Sequence, residues 1–184
     1  MTDGVARFFV ITGGPGSGKS TLIDALQVRG FARTMEAGRG VIQDQVAIGG
    51  RALPWSDPLA FSELMLSWEL RSYRMAQDLS GLVFFDRGIP DVAGYLRLLN
   101  RRVPDHVDKA ARTFRYNHRV FIAPPWEEIF EQDRERKQDF AEAVRTCEAM
   151  IATYTAYGYE LIEIPRFTVE ERVEFILQTA TASE

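Results

Sequence analysis

The sequence predicts an α/β fold in three layers, α/β/α, built on a five-stranded, mostly parallel sheet. Three observations predict it. Five short runs, at residues 7–12, 32–36, 82–86, 119–123 and 160–164, are apolar and rich in β-branched and aromatic residues, as strands are. Stretches with helical spacing separate them, and strands alternating with helices imply parallel strands covered on both faces. A glycine-rich octapeptide lies between the first run and the first helical stretch.

The elements follow in chain order. Phe8-Phe9-Val10-Ile11 reads as a buried strand. After it, Gly13-Gly14-Pro15-Gly16-Ser17-Gly18-Lys19-Ser20 completes the G-x-x-x-x-G-K-[ST] pattern of a phosphate-binding loop (P-loop), and Thr21 follows it into a helix. Each part has its own work. The glycines let the backbone turn tightly and aim N–H groups into an oxyanion nest. Lys19 brings a mobile positive charge for the β- and γ-phosphates, and the Ser20 hydroxyl is a hard oxygen ligand suited to Mg²⁺. The helix over 19–29, with Leu22 and Leu26 on its apolar face, adds the positive end of its dipole.

Asp57 caps the next marked helix and Pro58 suits its first turn. Phe61, Leu64, Met65, Trp68 and Met75 form its apolar stripe, with Glu69, Arg71 and Arg74 among them. The third apolar run ends in Asp86, and a helix is predicted over 91–101. Residues 125–157 read as one or two long helices, densest in charge over 126–142. The last helix spans 169–179, with Thr168 and Glu171 as a capping box and residues 179–184 as a frayed tail.

Bulk properties narrow the field. A chain of 184 residues is expected to form one domain, 1–184, with a core that needs no disulfide or metal. The net charge of −4 gives no electrostatic basis for nucleic-acid binding. The start of the chain lacks the pattern of a secretory signal, and no apolar run approaches the roughly 20 residues that span a bilayer. With a single cysteine, Cys147, these features lead to the expectation of a cytoplasmic protein with no membrane partner. Cys147 lies in a helical segment and reads as a buried thiol. His106 and His118 have no partners at metal-ligand spacing.

Asp86 closes an apolar strand, where a phosphate-loop protein places the second acid of its Mg²⁺ site. The residue after it is Arg87, where motor-type and AAA-type ATPases usually carry a glutamate that orients water. A guanidinium cannot act as a general base, but it can grip a phosphate or a polar acceptor. The pair therefore points toward phosphoryl transfer to a bound acceptor and away from hydrolysis.

The loop at 13–20, the step Asp86-Arg87-Gly88 and the charged segment Asp133-Arg134-Glu135-Arg136 together resemble the nucleoside and nucleotide kinase branch of the P-loop NTPases. Phe85-Asp86-Arg87-Gly88-Ile89-Pro90-Asp91, followed by Tyr95, looks like the signature of the NadR-type (ribosylnicotinamide kinase) AAA domain. That resemblance implies a general base at the end of the second strand, which falls on Glu36, with Arg39 in support. Those kinases carry a proline after this glutamate, and this chain has Ala37. It also implies a helical lid within about 126–142 whose arginines, Arg134 and Arg136, stabilise the transferred phosphoryl group. Arg71 and Arg74 fall on the helix that covers the acceptor pocket in such kinases, and Trp55, Trp68 and Tyr95 are candidates to stack on a ring. The loop Pro165-Arg166-Phe167 falls where the donor base is often contacted.

The expected activity is transfer of the γ-phosphate of ATP, with GTP as the alternative donor, to an unidentified nucleoside- or nucleotide-like molecule with Mg²⁺ present. Lys19, Glu36, Asp86, Arg87, Arg134 and Arg136 are the expected catalytic residues, and Ser20 and Asp86 the expected metal ligands. The competing reading is a nucleotide-dependent regulatory switch. The guanine-reading Asn-Lys-x-Asp sequence of Ras-type switches is absent.

Overall fold

A computed structural model of the chain describes residues 3–130 and 139–182. A one-turn helix, α1 (Asp3–Ala6), leads into strand β1 (Phe8–Gly13). There follow α2 (Lys19–Val28), β2 (Ala32–Arg33), α3 (Ala37–Ile48), α4 (Pro58–Gln77), β3 (Val83–Asp86) and α5 (Ile89–Leu98). The chain continues through α6 (Asp105–Thr113), β4 (Arg119–Ala123), a 3₁₀ turn (Glu127–Ile129), α7 (Phe140–Ala156), β5 (Glu160–Glu163) and α8 (Val169–Thr181).

All five strands are parallel, in the order β2-β3-β1-β4-β5. The alternation of side chains along each strand builds two cores. Phe9 and Ile11 of β1, Phe84 of β3 and Phe121 of β4 meet Leu22, Leu26, Val173 and Ile176 on α2 and α8. Phe8, Val10, Val83, Phe85 and Val120 face the other way, onto Leu66 and Tyr73 of α4, Val92 and Leu96 of α5 and Tyr154 of α7. Each such aromatic or aliphatic side chain, once buried, contributes about 1.5–3 kcal/mol of transfer free energy. Both faces being covered explains why the strands read as continuous apolar runs.

Several elements differ from the sequence expectation. Of the one or two long helices read over 125–157, residues 127–129 form only a 3₁₀ turn and α7 begins at Phe140, where the Asp139 side chain accepts from Glu142 N–H. α8 runs on to Thr181, into the expected tail. β2 ends at Arg33, because it is the short edge strand and the chain turns away after Thr34 into α3. The helix expected from residue 91 begins at Ile89. The Gly88 N–H donates to the Asp91 carboxylate (Oδ2, 2.9 Å), which caps the helix from inside its first turn. α3 and α6 are not among the helices expected from the sequence, although Val107, Ala110 and Ala111 of α6 recur at helical spacing. α3 packs against α4 through Val41, Ile42 and Phe61, and so walls off one side of the region above the sheet. The capping residues read from the sequence hold: Asp57 accepts from Ala60 N–H, and Thr168 and Glu171 form the capping box of α8.

Candidate active site

The phosphate loop joins β1 to α2 at the C-terminal edge of the sheet, where β1 and β3 end side by side. Gly18, at φ +75°, brings the chain into α2, and its lack of a side chain leaves the first N–H groups of the helix uncapped. Gly14 is held tight against α7: a Cβ there would lie 2.2 Å from the Ala143 carbonyl oxygen. Ser17 is buried and donates to the Gly14 carbonyl (2.9 Å). The Lys19 ammonium donates to the same carbonyl (2.5 Å) and to Ser17 Oγ (3.1 Å), placing its charge inside the loop. Ser20 and Thr21 are exposed at the first turn of α2.

Asp86 ends β3 beside this loop and is buried. Its Oδ1 has no hydrogen-bond partner. Burial, reinforced by the neighbouring Glu36 carboxylate, raises Asp86 to about 6, against the pull of Lys19 and Arg87. An unpartnered buried carboxylate oxygen at a strand end beside the loop, within electrostatic reach of Lys19, fits a hard cation such as Mg²⁺. Among the described residues no group of three or more His, Cys, Asp or Glu side chains is placed to hold a metal ion.

Arg87 occupies the left-handed region at φ +71°, where non-glycine residues are rarely found unless their surroundings force them. Its N–H donates to Ile11 O (3.1 Å), and its guanidinium donates to Gly13 O (2.9 Å) and Asp91 Oδ1 (3.2 Å) and reaches Glu36 Oε1 (3.5 Å). Burial alone would lower Arg87, but the carboxylates of Glu36, Asp91 and Asp86 outweigh it and hold the guanidinium charged.

Asp91 is the hub beneath this arginine. Its carboxylate also accepts from the Thr12 hydroxyl (2.5 Å) and the Tyr154 hydroxyl (2.6 Å), so β1, α5 and α7 converge on one side chain. Glu36 lies at the N-terminus of α3, three residues beyond the end of β2, with Arg39 3.8 Å from its carboxylate. Next to the loop opens a cavity of about 740 Å³, lined by Pro15, Glu36, Arg87, Asp91 and Tyr95 and by apolar side chains of α3, α4, α5 and α7.

A family model described as an AAA domain matches residues 8–172. The chain belongs to this family. No curated protein matches it. Among solved structures, deoxyadenosine kinase from M. mycoides superposes with a TM-score of 0.67 at 15% identity, covering 94% of this chain and 97% of that one. The NadR protein in complex with NR gives 0.69 at 14% identity, over 97% of this chain and 52% of that chain. Thymidylate kinase from Ehrlichia chaffeensis gives 0.59 at 17% identity, over 96% and 99%. At these identities the likeness is one of fold: the AAA domain has the architecture of the nucleoside and nucleotide kinases.

Several expected residues of the AAA domain fall elsewhere. Arg71 and Trp68 line a second groove, between α3 and α4, and not the cavity beside the loop. Arg74 lies over the Phe114 ring at 5.7 Å. The stripe of α4 that points toward α5 is its apolar and Glu69 side, which turns these two arginines away. Trp55 and Tyr95 do line the cavity. Arg134, Arg136 and most of the expected lid lie outside the described residues. Cys147 is buried, and burial pushes its thiol up. His106 pairs with Glu63 and His118 with Glu160 at the surface. Among the described residues no helix is long and apolar enough to cross a membrane.

Three features escaped the sequence reading. Asp91 stood inside a recognised signature, but nothing marked it as the point where three elements join. Glu69 looked like one charge among several on α4. Arg172 of α8 is buried under the loop and donates to Ser17 O (3.2 Å), a contact across 155 residues of chain that no local pattern encodes.

Proposed function

We propose that this AAA domain transfers the γ-phosphate of ATP to a nucleoside- or nucleotide-like small molecule. The observation that carries the reading is that Pro15 of the phosphate loop, Glu36 and Arg87 line one cavity, so that a donor site and an acceptor site share a wall. A loop that only switched with nucleotide would have no need of that cavity. The kinase neighbours support the reading: structures of the M. mycoides enzyme hold dCMP, dCDP or dATP, and the NadR structure holds NR.

In this reading the loop amides, the N-terminus of α2 and Lys19 cradle the phosphates. Ser20 and Asp86 would hold Mg²⁺, which when bound would offset charge on the phosphate oxygens. Glu36 accepts the proton of the acceptor hydroxyl as that oxygen forms its bond to the γ-phosphorus. The bond from the γ-phosphorus to the bridging oxygen breaks, and ADP leaves. Glu36 then returns the proton to solvent. Arg87, fixed by Asp91 and Gly13, holds Glu36 in orientation. Arg134 and Arg136 supply charge to the moving phosphoryl group. Replacing both with alanine is expected to lower kcat by about 10²-fold or more with little change in nucleotide affinity, and equal losses in the two would count against a lid role.

The deciding experiment incubates the protein with Mg·ATP or Mg·GTP and a panel of nucleosides, nucleotides and ribosylnicotinamide, and measures ADP or GDP release. Release stimulated by one acceptor, with its phosphorylated form recovered, supports the reading. A nucleotide-dependent complex with a protein, and no acceptor-stimulated release across the panel, would replace it with a regulatory role.

A further inference from the structure

The cavity is also lined by three polar side chains that the phosphoryl-transfer reading leaves without a role. Glu69 on α4 is 2% exposed, and it lines the cavity together with Tyr95 of α5 and Thr146 of α7. Each carries a buried polar atom with no hydrogen-bond partner: Glu69 Oε2, the Tyr95 hydroxyl and Thr146 Oγ1. One buried polar atom left unpaired costs about 1–3 kcal/mol. Three of them around one cavity, contributed by three helices, oppose folding and make sense as groups that a ligand satisfies. The same cavity is lined by the apolar side chains of Ile42, Phe61, Met65 and Val92, as suits the faces of a flat ring.

The charges around the cavity decide what kind of ring. Leaving Glu69 aside, the described lining residues include three acids, Glu36, Asp91 and Glu142, and two cations, Arg87 and Arg145. Arg87 is already engaged by Glu36 and Asp91, and Arg145 sits exposed at the mouth. A pocket with more acids than cations disfavours a further anion. Burial, reinforced by the carboxylates of Asp91 and Asp86, pushes Glu69 upward and favours its neutral form, which can both donate and accept.

We propose that Glu69, Tyr95 and Thr146 form an acceptor-reading subsite that selects an uncharged or cationic heterocycle with hydrogen-bonding groups, on an acceptor that carries no phosphate of its own. The proposal rests on the phosphotransferase reading and names its acceptor class: nucleosides over nucleoside monophosphates.

The test is direct binding, independent of turnover. Calorimetry on the full chain with Mg²⁺ and a non-hydrolysable ATP analogue would titrate thymidine, deoxyadenosine, ribosylnicotinamide and the corresponding 5′-monophosphates. At least one nucleoside is expected to bind, with its monophosphate about tenfold weaker or more. Glu69→Leu should weaken nucleoside binding by about 10- to 100-fold, because the ring's polar edge then meets no partner. Glu69→Gln, which keeps a neutral donor and acceptor, should stay within about threefold. Nucleotide affinity should hold in both variants, and the melting temperature of Glu69→Leu should not fall. Monophosphates that bind as well as nucleosides, a Glu69→Leu protein that binds normally, or one that loses nucleoside, nucleotide and stability together would each overturn the subsite, as would failure of every probe to bind. Glu69-dependent nucleoside binding without phosphate transfer would sink the phosphotransferase reading and leave the subsite standing. Transfer indifferent to Glu69 would do the reverse.

Discussion

At the scale of single residues the site is a set of acids placed where water is scarce. Asp86 shows what this means for stability. Its carboxyl is raised from the ordinary value of 3.8 to about 6 in the fold, so the folded chain holds this proton more tightly than the unfolded chain does. The contribution to stability is therefore present below about pH 4 and is lost as pH rises through about 6. Above that the charged carboxylate is a burden. In metal-free buffer Asp86→Asn is expected to melt higher than the parent protein at pH 8, with the difference shrinking as pH falls from 6 to 4. Thermal melts across that range check it, and a constant difference would reject the buried-charge explanation. Glu36 belongs to the same scale. If it is the base, Glu36→Gln should lower kcat by about 10²–10⁴-fold with nucleotide affinity nearly unchanged, read from steady-state rates with the acceptor found by screening.

At the scale of elements, the polar tie between α5 and α7 is what fixes Arg87 over the loop. Tyr154 is fully buried on α7 and donates to Asp91, which in turn receives Arg87 and Thr12. Removing the hydroxyl leaves the Asp91 carboxylate short of a donor in an apolar setting. Tyr154→Phe should cost about 1–3 kcal/mol, which for a chain of this length lowers the melting temperature by about 2–12 °C. Because the ring still fills its place, the effect isolates the hydrogen bond. A melt unchanged within error would mean that Asp91 finds its support elsewhere. The left-handed backbone at Arg87 is held by the same tie: β3 must end and α5 begin within three residues, and the strain is absorbed where the guanidinium has the most partners.

At the scale of the molecule, the proposed donor and acceptor sites meet at one cavity beside the loop, lined by residues of α3, α4, α5 and α7. Ligands that bridge these elements should stabilise the whole fold by mass action. Mg·ATP at about 100 times its dissociation constant is expected to add about 2.7 kcal/mol, a rise of roughly 5–10 °C in melting temperature. Lys19→Ala should abolish most of that rise while leaving the ligand-free melt within a few degrees. Calorimetric melts with and without nucleotide measure both. An equal rise in the parent and the variant would place nucleotide somewhere other than the loop.

Much of this was legible in the amino-acid order alone. The five strands, the phosphate loop and the caps of α4 and α8 are encoded by neighbours within a few residues, through apolar runs, obligatory glycines and side chains that bond their own backbone. The Asp86-Arg87 step was legible for the same reason, since both residues hang on one strand end. Which way α4 turns its arginines, why Asp91 holds three elements together, and that Glu69 is buried rather than one more surface charge were decided only when the helices packed. Those properties come from contacts between segments tens of residues apart, and the desolvation that makes a carboxyl unusual does not exist until the elements close over it.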